Sequence, residues 1–232
     1  MIHPPDASAA LPDDSTADAA PVEAAAVAPL LVPAVPIAVR KRPKPGERRV
    51  QILQTLAAML EQPGADRVTT AALAAKLDVS EAALYRHFAS KAQMFEGLIE
   101  FIEHSVFTLI NQILEREGSA VLQVQKMLTV LLQFAEKNPG MARVMVGDAL
   151  VFENERLLAR MNQFFERFES QLRQALRGMA EAAGSSTPTV DANAQASVLT
   201  AFAVGRLQRY ARSGFKRSPT EHLDAALRML AS

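Results

Sequence analysis

The sequence predicts an all-α protein, and three observations support this fold class. Of the 232 residues, 49% are hydrophobic and 22% charged, and only 10 are glycine, so the chain is long enough for one or two domains with a sizeable core. Leu and Met are frequent while Thr, Tyr and Val are modest, a balance that favours helices over strands. Beyond residue 46, apolar residues recur at helical spacing between segments that end at Pro or Gly.

The composition and the absence of certain motifs exclude several classes of protein. The chain has no Cys, which excludes disulfides, thiolate nucleophiles and Cys-ligated zinc or iron–sulfur sites. It contains neither a Gly-rich phosphate loop nor a Ser-His-Asp arrangement of usable spacing. The paired carboxylates of Glu100 and Glu103 lie on a helix face, where solvation is their ordinary explanation. We therefore expect no enzymatic activity, no cofactor and no metal.

Charge is segregated along the chain although the formal net charge is +0. Residues 1–39 carry five acids and no Lys or Arg, whereas residues 40–49 carry six basic side chains against Glu47. The remaining residues balance, with 19 basic and 19 acidic side chains. The six basic residues are Arg40, Lys41, Arg42, Lys44, Arg48 and Arg49. Of these, Arg48 is expected to contact DNA phosphates.

Residues 1–45 are predicted to be a disordered tail that ends in this basic run, because nine of the 13 prolines fall within them. The apolar stretch Val27–Val39 is too short and too often interrupted by Pro to cross a bilayer. Acids precede it and bases follow, the reverse of a signal peptide, so we expect a cytoplasmic protein. The run Arg40–Lys44 is either a flexible arm on DNA phosphates or in a minor groove, or the end of a solvated linker.

Four helices are predicted in the next 70 residues. Apolar residues at helical spacing indicate a first helix over 47–61, which Pro63 and Gly64 end. A second, of about two turns, starts at Thr69 or Thr70 as its N-cap and ends at the break Asp78-Val79, because Asp tolerates a left-handed backbone.

Ser80 is the predicted cap of a third short helix over 81–88, and two short helices joined by a tight turn form a helix-turn-helix. The Ser90-x-x-Gln93 capping box then starts a long helix through about Glu117.

The chemistry of this segment suits DNA. Ala82 and Ala83, in the first turn of the third helix, are small enough to let the backbone approach a base edge. Thr69 and Thr70 lie at a helix N-terminus, whose free amides favour an anion. The side chains that could donate to phosphate oxygens are Tyr85, His87 and Lys91.

Each assignment has a plainer alternative. Leu84 and Phe88 are expected in the core, and Tyr85 is expected on phosphate rather than buried, because no local partner is offered for a buried phenol. Arg86 either reads a guanine or is a solvated surface residue. His87 has no second ligand at metal-binding spacing, which argues against a metal site.

The whole stretch from Thr69 to Lys91 resembles the DNA-binding signature of the tetracycline-repressor family, departing from it with Asp78 where Gly is usual and Ala89 where Pro is frequent. The resemblance implies phosphate contacts from Tyr85, His87 and Lys91, and a major-groove surface from Ser80 to Ala83. It also implies a helix-turn-helix DNA-binding domain over 46–92 and a helical dimerisation and partner-binding domain over 93–232.

Further helices are predicted near 120–138, 140–152, 153–182, 191–213 and 219–230, with Pro139, Pro188 and Pro219 at their boundaries. The helix at 153–182 has a continuous apolar face from Leu157 to Met179, which Leu158, Phe165 and Leu176 widen. The helix at 191–213 has a small-residue face of Ala194, Val198, Ala201 and Gly205. These faces suit the four-helix interface of a homodimer, and an intramolecular core is the alternative.

Within that family, residues 79–88, 98–103, 136–140 and 162–167 resemble the nucleoid occlusion factors, and the match runs from about Gly46 to Leu230. The resemblance implies a nucleoid-associated homodimer that binds palindromic duplex DNA, with one or more dimers on a site, and antagonises FtsZ, the tubulin-like GTPase of the division ring. It assigns the partner surface to Phe101, Lys137 and Asn138. From the residues alone, Lys137 and Asn138 are merely a helix end with a favourable cation. A ligand-gated repressor is the alternative function.

Overall fold

The computed structural model describes residues 46–62 and 68–230, so the predicted tail and basic arm at 1–45 lie outside the described residues. Every regular element in the described part of the chain is helical, as predicted, and a short 3₁₀ turn at Asp148–Leu150 separates α6 from α7. The helices are α1 Glu47–Leu60, α2 Thr70–Lys76, α3 Glu81–Tyr85, α4 Lys91–Arg116, α5 Ala120–Lys137, α6 Pro139–Met145, α7 Glu155–Ala182, α8 Pro188–Arg212 and α9 Leu223–Leu230.

The helices α2, α3 and α4 begin where their capping residues place them. The side chains of Thr69, Ser80 and Ser90 each accept a hydrogen bond from a backbone N–H three residues on, at 3.1, 3.3 and 3.2 Å. The predicted capping box differs in one detail, because the Gln93 amide oxygen accepts from the N–H of Ala89 rather than from that of Ser90. The N-caps of α2, α3 and α4 are therefore confirmed.

The body is built on two long helices, α4 and α7, with α5, α6 and α8 packed between and beside them. At 1.5 Å per residue the 26 residues of α4 span about 39 Å, so this helix starts in the DNA-binding unit and ends at the far side of the body. The helices α7 and α8 form an antiparallel pair joined by a short connection. No helix in the ranges 46–62 and 68–230 is long and apolar enough to span a membrane.

Three predicted helices are shorter than expected. The third helix, predicted over 81–88, ends at Tyr85, because the chain turns at 86–87 before Ser90 caps α4. The helix predicted at 140–152 ends at Met145, because Gly147 adopts a left-handed backbone with φ 85° and the chain continues as the 3₁₀ turn. The helix predicted at 219–230 begins only at Leu223, after His222 with φ 54°. In contrast, α8 starts three residues earlier than predicted, with Pro188 at its first position.

The apolar face of α7 is buried as predicted from Leu157 to Ala175, and Leu176 joins it. Leu158 is exposed and Phe165 half-buried, so the widened part of the stripe is left open in one chain. On α8, Ala194, Val198 and Ala201 are exposed as well. An apolar and small-residue surface shared by α7 and α8 is thus available to a second copy.

The DNA-binding unit is attached to the body where α6 crosses α1. Gly140 lies so close to the helix α1 that a Cβ atom there would be 2.2 Å from the backbone oxygen of Ala57 and 3.0 Å from its carbonyl carbon. Only glycine fits at this distance. Gly140 therefore sets the closest approach of the two parts of the molecule.

Replacing Gly140 with Ala should separate α6 from α1 and lower the free energy of unfolding by about 1–3 kcal/mol, the usual range for overpacking. Urea denaturation at one fixed protein concentration measures this. The matched control is Gly178→Ala in α7, where nothing lies within 4 Å of an added Cβ. That variant should be stabilised by roughly 1 kcal/mol through helix propensity. Equal stabilities of the two variants would contradict the role of Gly140.

Candidate nucleic-acid interface

The turn between α2 and α3 is fixed by backbone geometry and by one side-chain bridge. Asp78 has φ 52°, the left-handed conformation that the sequence predicted for it. The N–H of Val79 returns to the carbonyl of Ala74 at 3.0 Å, which closes the end of α2. Across the turn, the Thr70 hydroxyl donates to the Glu81 carboxylate at 2.6 Å. The two helices are thus held at one angle.

The inner side of the unit is a dry core. Leu84 and Phe88 are each 1% exposed, which confirms that they are core residues. They belong to one continuous hydrophobic cluster that extends into the body. The helix α3 is therefore positioned by burial of its inner face. Reading of DNA bases requires such a rigid placement.

The outer side of α3 carries the predicted contacts. Tyr85 is 45% exposed, so its phenol is at the surface, as expected. Ala83 is half-buried, and its N–H is bound by the cap of α3. The other predicted residues that are exposed around α3 and at the start of α2 are Thr69, Ser80, Ala82, Arg86 and His87.

Two predicted phosphate contacts already have partners. The Thr70 hydroxyl is half-buried and bound to Glu81, so it is engaged within the unit. Arg48, half-buried on α1, donates from Nη1 to the side-chain oxygen of Gln51 at 2.7 Å. The Arg48 side chain has to exchange Gln51 for a phosphate, whereas the prediction for Thr70 rests on the amides of the α2 N-terminus, which the hydroxyl bond to Glu81 does not occupy.

Lys91 has the strongest partner. Its ammonium forms an ion pair with the Glu153 carboxylate, which precedes α7, and lies 5.6 Å from the centre of the Phe95 ring. Their side chains are only 23% and 11% exposed, so this pair is partly desolvated and stronger than an ordinary surface pair. A phosphate that contacts Lys91 has to share or displace Glu153.

Two more ion pairs join α4 to the first turns of α7. Arg156 pairs with Glu96 at 2.5 Å, and Arg160 binds Glu103 through two nitrogens at 3.0 and 2.5 Å. Bidentate guanidinium–carboxylate pairs fix orientation as well as distance. The start of α7 is therefore clamped to the half of α4 that leaves the DNA-binding unit.

Arg49 has a structural role that the sequence did not indicate. It donates from Nη1 to the carbonyl of His87, and its guanidinium lies 4.1 Å from the centre of the Phe88 ring. It thus ties the first turn of α1 to the end of the helix-turn-helix. The partners are 38 residues apart in the chain, so no local pattern could have revealed the contact.

The predicted partner surface divides into three environments. Phe101 is half-buried, with its ring 6.1 Å from that of Phe134, and it lines an open groove of about 700 Å³ between α1 and α4. Lys137 is exposed at the end of α5. Asn138 is 6% exposed, and its amide donates to the carbonyl of Phe134 at 2.7 Å. The Asn138 side chain therefore caps the C-terminal end of α5 from a buried position. This position favours a role in supporting the predicted partner surface over direct contact with the partner.

Around the groove, apolar and charged side chains alternate. Leu53, Phe101 and Phe107 provide the apolar part, and Arg167 stacks on Phe107 at 3.9 Å. Glu100 and His104 lie at its rim and are exposed. Within the described part of the chain, no group of three or more His, Asp or Glu residues has an arrangement that could hold a metal ion. The groove is thus suited to an extended segment with both apolar and charged side chains.

Two protein families match the chain. The family described as "Bacterial regulatory proteins, tetR family" matches residues 52–98, and the SlmA-like family described as "Tetracyclin repressor-like, C-terminal domain" matches residues 118–232. Among solved structures, the regulator FadR from Bacillus subtilis in complex with stearoyl-CoA has a TM-score of 0.63 at 14% identity, covering 79% of this chain and 97% of its own. PfmR from Thermus thermophilus has a TM-score of 0.65 at 18% identity, with coverages of 78% and 97%. These likenesses confirm the tetracycline-repressor-like fold.

Curated relatives match over nearly their whole length. The Nucleoid occlusion factor SlmA of Photobacterium profundum is 52% identical over 190 residues, which are 82% of this chain and 96% of the relative. That of Vibrio vulnificus is 51% identical over 190 residues, with the same coverages. The relatives are named as nucleoid occlusion factors and the first family as regulatory proteins, not as enzymes, in agreement with the expectation from the sequence. The chain belongs to the SlmA nucleoid occlusion factors of the tetracycline-repressor family.

Proposed function

We propose that the protein is a homodimer that binds palindromic duplex DNA on the nucleoid and prevents FtsZ from assembling there. The observation that carries the proposal is the 52% identity with a nucleoid occlusion factor over 190 aligned residues, which are 82% of this chain and 96% of that relative. The exposed outer face of α3 supports the DNA part, since small and hydrogen-bonding side chains there meet no obstruction from the body.

The dimer is supported by the open surface of α7 and α8. Val198 is 54% exposed and Leu158 44%, and beneath them lies a groove of about 330 Å³ that Phe165 and Val204 help to line. A second copy that places the same surface there buries both sets of side chains at once. Two-fold symmetry then presents two α3 helices to major grooves about 34 Å apart, which is why the site is palindromic.

The FtsZ-binding surface is proposed around Phe101 and Lys137, with Asn138 supporting it from within. Phe101 forms one wall of the groove between α1 and α4, and its contact with Phe134 connects that wall to α5. Lys137 adds an exposed cation three residues after Phe134. An apolar anchor beside a cation suits an acidic peptide with an apolar side chain. The ligand-gated repressor has no specific observation in its favour among the described residues.

Sequence readout is expected to depend on Ala82 and phosphate contact on Tyr85. Ala82→Leu should remove most of the preference for the palindrome. Affinity for the palindrome should fall by about 10- to 100-fold, the usual cost of one wrong base contact, while affinity for scrambled duplex stays the same. Tyr85→Phe should weaken both duplexes alike. Fluorescence anisotropy with labelled duplexes measures both effects, and the complex should contain two chains per duplex. The control Ala159→Leu, at an exposed position of α7, should change neither. A monomer on DNA, or unchanged selectivity of Ala82→Leu, would contradict the assignment.

Glu153→Gln should raise the affinity for specific and scrambled duplexes several-fold, because Lys91 would no longer be shared with a carboxylate. The control is Glu103→Gln, which removes the same charge and breaks another ion pair of α4, the one between Glu103 and Arg160 of α7. Anisotropy titrations at one salt concentration compare the two variants. If Glu153→Gln binds no more tightly than Glu103→Gln, the ion pair does not compete with phosphate.

Replacing Phe101 with Ala and Lys137 with Glu in one variant should abolish inhibition of FtsZ assembly while leaving DNA affinity within about twofold, since neither residue lies on the predicted DNA surface. Light scattering of FtsZ with GTP, at saturating DNA site, measures inhibition. The matched control is Leu122→Ala with Arg116→Glu, an exposed apolar residue and a cation at the other end of α4 and α5.

Inhibition by the Phe101 and Lys137 variant at full DNA occupancy would contradict this surface. Because Phe101 is half-buried, thermal unfolding is followed in parallel. The single variant Lys137→Glu, at an exposed site, provides the test if the double variant does not fold.

A further inference from the structure

The end of α8 and the turn that follows it are strongly basic. Residues 206–217 contain five cations and no acid. Arg206 is engaged, since it donates from Nη1 to the carbonyl of Glu221 at 2.7 Å and lies 5.0 Å from the centre of the Phe202 ring. The other four are exposed, and the structure shows no ion pair for them within the described residues. We call these four residues the α8 basic turn: Arg209, Arg212, Lys216 and Arg217.

The turn has one fixed shape. The hydroxyl oxygen of Ser213 accepts the N–H groups of Lys216 and Arg217 at 3.1 and 2.9 Å, and the hydroxyl donates to the carbonyl of Tyr210 at 2.9 Å. Phe215 has φ 65°, which is rare for a bulky residue, and its ring packs edge-on against Tyr210 at 5.2 Å. Such backbone is kept only where the surroundings hold it, so the cations project from a rigid base.

Tyr210 anchors this base to the part of the body next to the DNA-binding unit. It is 4% exposed, and its hydroxyl donates to the carbonyl of Glu136 at 3.1 Å. Burial, together with the charges of Glu136 and Glu61, raises the pKa of Tyr210 to about 12, so the phenol remains a donor at neutral pH. Glu61 directly follows α1, which places Tyr210 beside the DNA-binding unit.

The antiparallel pairing of α7 and α8 also places the turn at the DNA end of the body. Leu158 and Met161 near the start of α7 share one groove with Val204 and Gln208 near the end of α8. The start of α7 is fixed to the DNA-binding unit by the ion pair of Glu153 with Lys91, which is a predicted phosphate contact. The α8 basic turn therefore lies at the same end of the molecule as Lys91.

The DNA-binding unit has little positive charge of its own. From Gly46 to Lys91, the described residues include five Lys or Arg and four Asp or Glu. Of the five, Arg49 is committed to Phe88 and His87, and Lys91 to Glu153. Affinity for duplex DNA comes largely from phosphate neutralisation, so further cations at the DNA end have a clear use.

We propose that the α8 basic turn is a second, sequence-independent contact to the phosphate backbone of the duplex that the helix-turn-helix reads. The inference rests on the proposed DNA-binding dimer. Because α8 carries the proposed dimer surface, the two turns lie near the two-fold axis and face the phosphates between the two half-sites. An acidic peptide or an anionic membrane could also bind the cations of the α8 basic turn. Neither partner explains why the turn lies at the same end of the molecule as Lys91.

The test uses the full chain with Lys216→Gln and Arg217→Gln, titrated against specific and scrambled duplexes over a NaCl series. Each lost phosphate contact lowers the slope of log K against log salt by about 0.9, so a dimer should lose up to about 4 units of slope. Affinity should fall equally for both duplexes, by at least about tenfold at 0.15 M salt. A palindrome with neutral methylphosphonate linkages between its half-sites should reduce the difference between wild type and variant.

The control is Arg116→Gln with Arg228→Gln, which removes the same charge at exposed positions away from the DNA end. A slope equal to that of wild type, or an equal loss in the control, would overturn the proposal. The proposal would also be overturned if the variant kept the wild-type slope of log K against log salt but lost binding to a poly-glutamate peptide or to phosphatidylglycerol vesicles. If the variant does not fold, Arg209→Gln with Arg212→Gln tests the same turn from the helix. Wild-type protein that binds no duplex would refute the proposed function itself, a result distinct from failure of the turn alone.

Discussion

The close crossing of α1 and α6 is the constraint on which the rest of the molecule depends. With no side chain at Gly140, α6 lies against the backbone of α1 at Ala57, a separation that no larger residue allows. This contact fixes where the helix-turn-helix is held relative to the body. The core then runs without a break from Leu73 and Leu84 through α4 into α5 and α7. A unit whose two short helices are too small to fold alone is thereby stabilised by the body.

Electrostatic contacts then fix the DNA end in detail. The pairs of Lys91 with Glu153, Arg156 with Glu96 and Arg160 with Glu103 all join α4 to the start of α7 or the segment before it. The pair of Arg156 with Glu96 is largely exposed and contributes little alone, whereas the bidentate pair of Arg160 with Glu103 is partly buried and fixes orientation. The pair at Lys91 places a carboxylate beside a predicted phosphate contact. In the proposed DNA complex, phosphate competes with Glu153 for Lys91, and through this competition the body takes part in DNA binding without touching the bases.

Sequence patterns predicted local structure well and long-range contacts poorly. The caps Ser80 and Ser90 and the left-handed Asp78 follow from short-range chemistry and were predicted correctly. The cap of α2 was predicted as Thr69 or Thr70, and the structure places it at Thr69. The end of α6 was missed because a single Gly at 147, inside an apolar run, does not show by itself that it adopts a positive φ. The partners Arg49 with His87 and Lys91 with Glu153 are 38 and 62 residues apart, and no periodicity connects them. The buried position of Asn138 likewise depends on how α5 meets α6, which only the packing reveals.

The geometry also links the two proposed binding surfaces. Lys91 and Phe101 lie on one helix, ten residues or about 15 Å apart, with the ion pairs of Glu96 and Glu103 to α7 spaced along the same stretch. The groove that Phe101 lines is completed by Arg49, and Arg49 also holds the end of the helix-turn-helix. A ligand that moves Arg49 or the start of α4 therefore changes the free energy of DNA binding. By thermodynamic reciprocity, DNA changes the affinity of the groove by the same factor, so the proposed DNA and partner sites are coupled through α1 and α4.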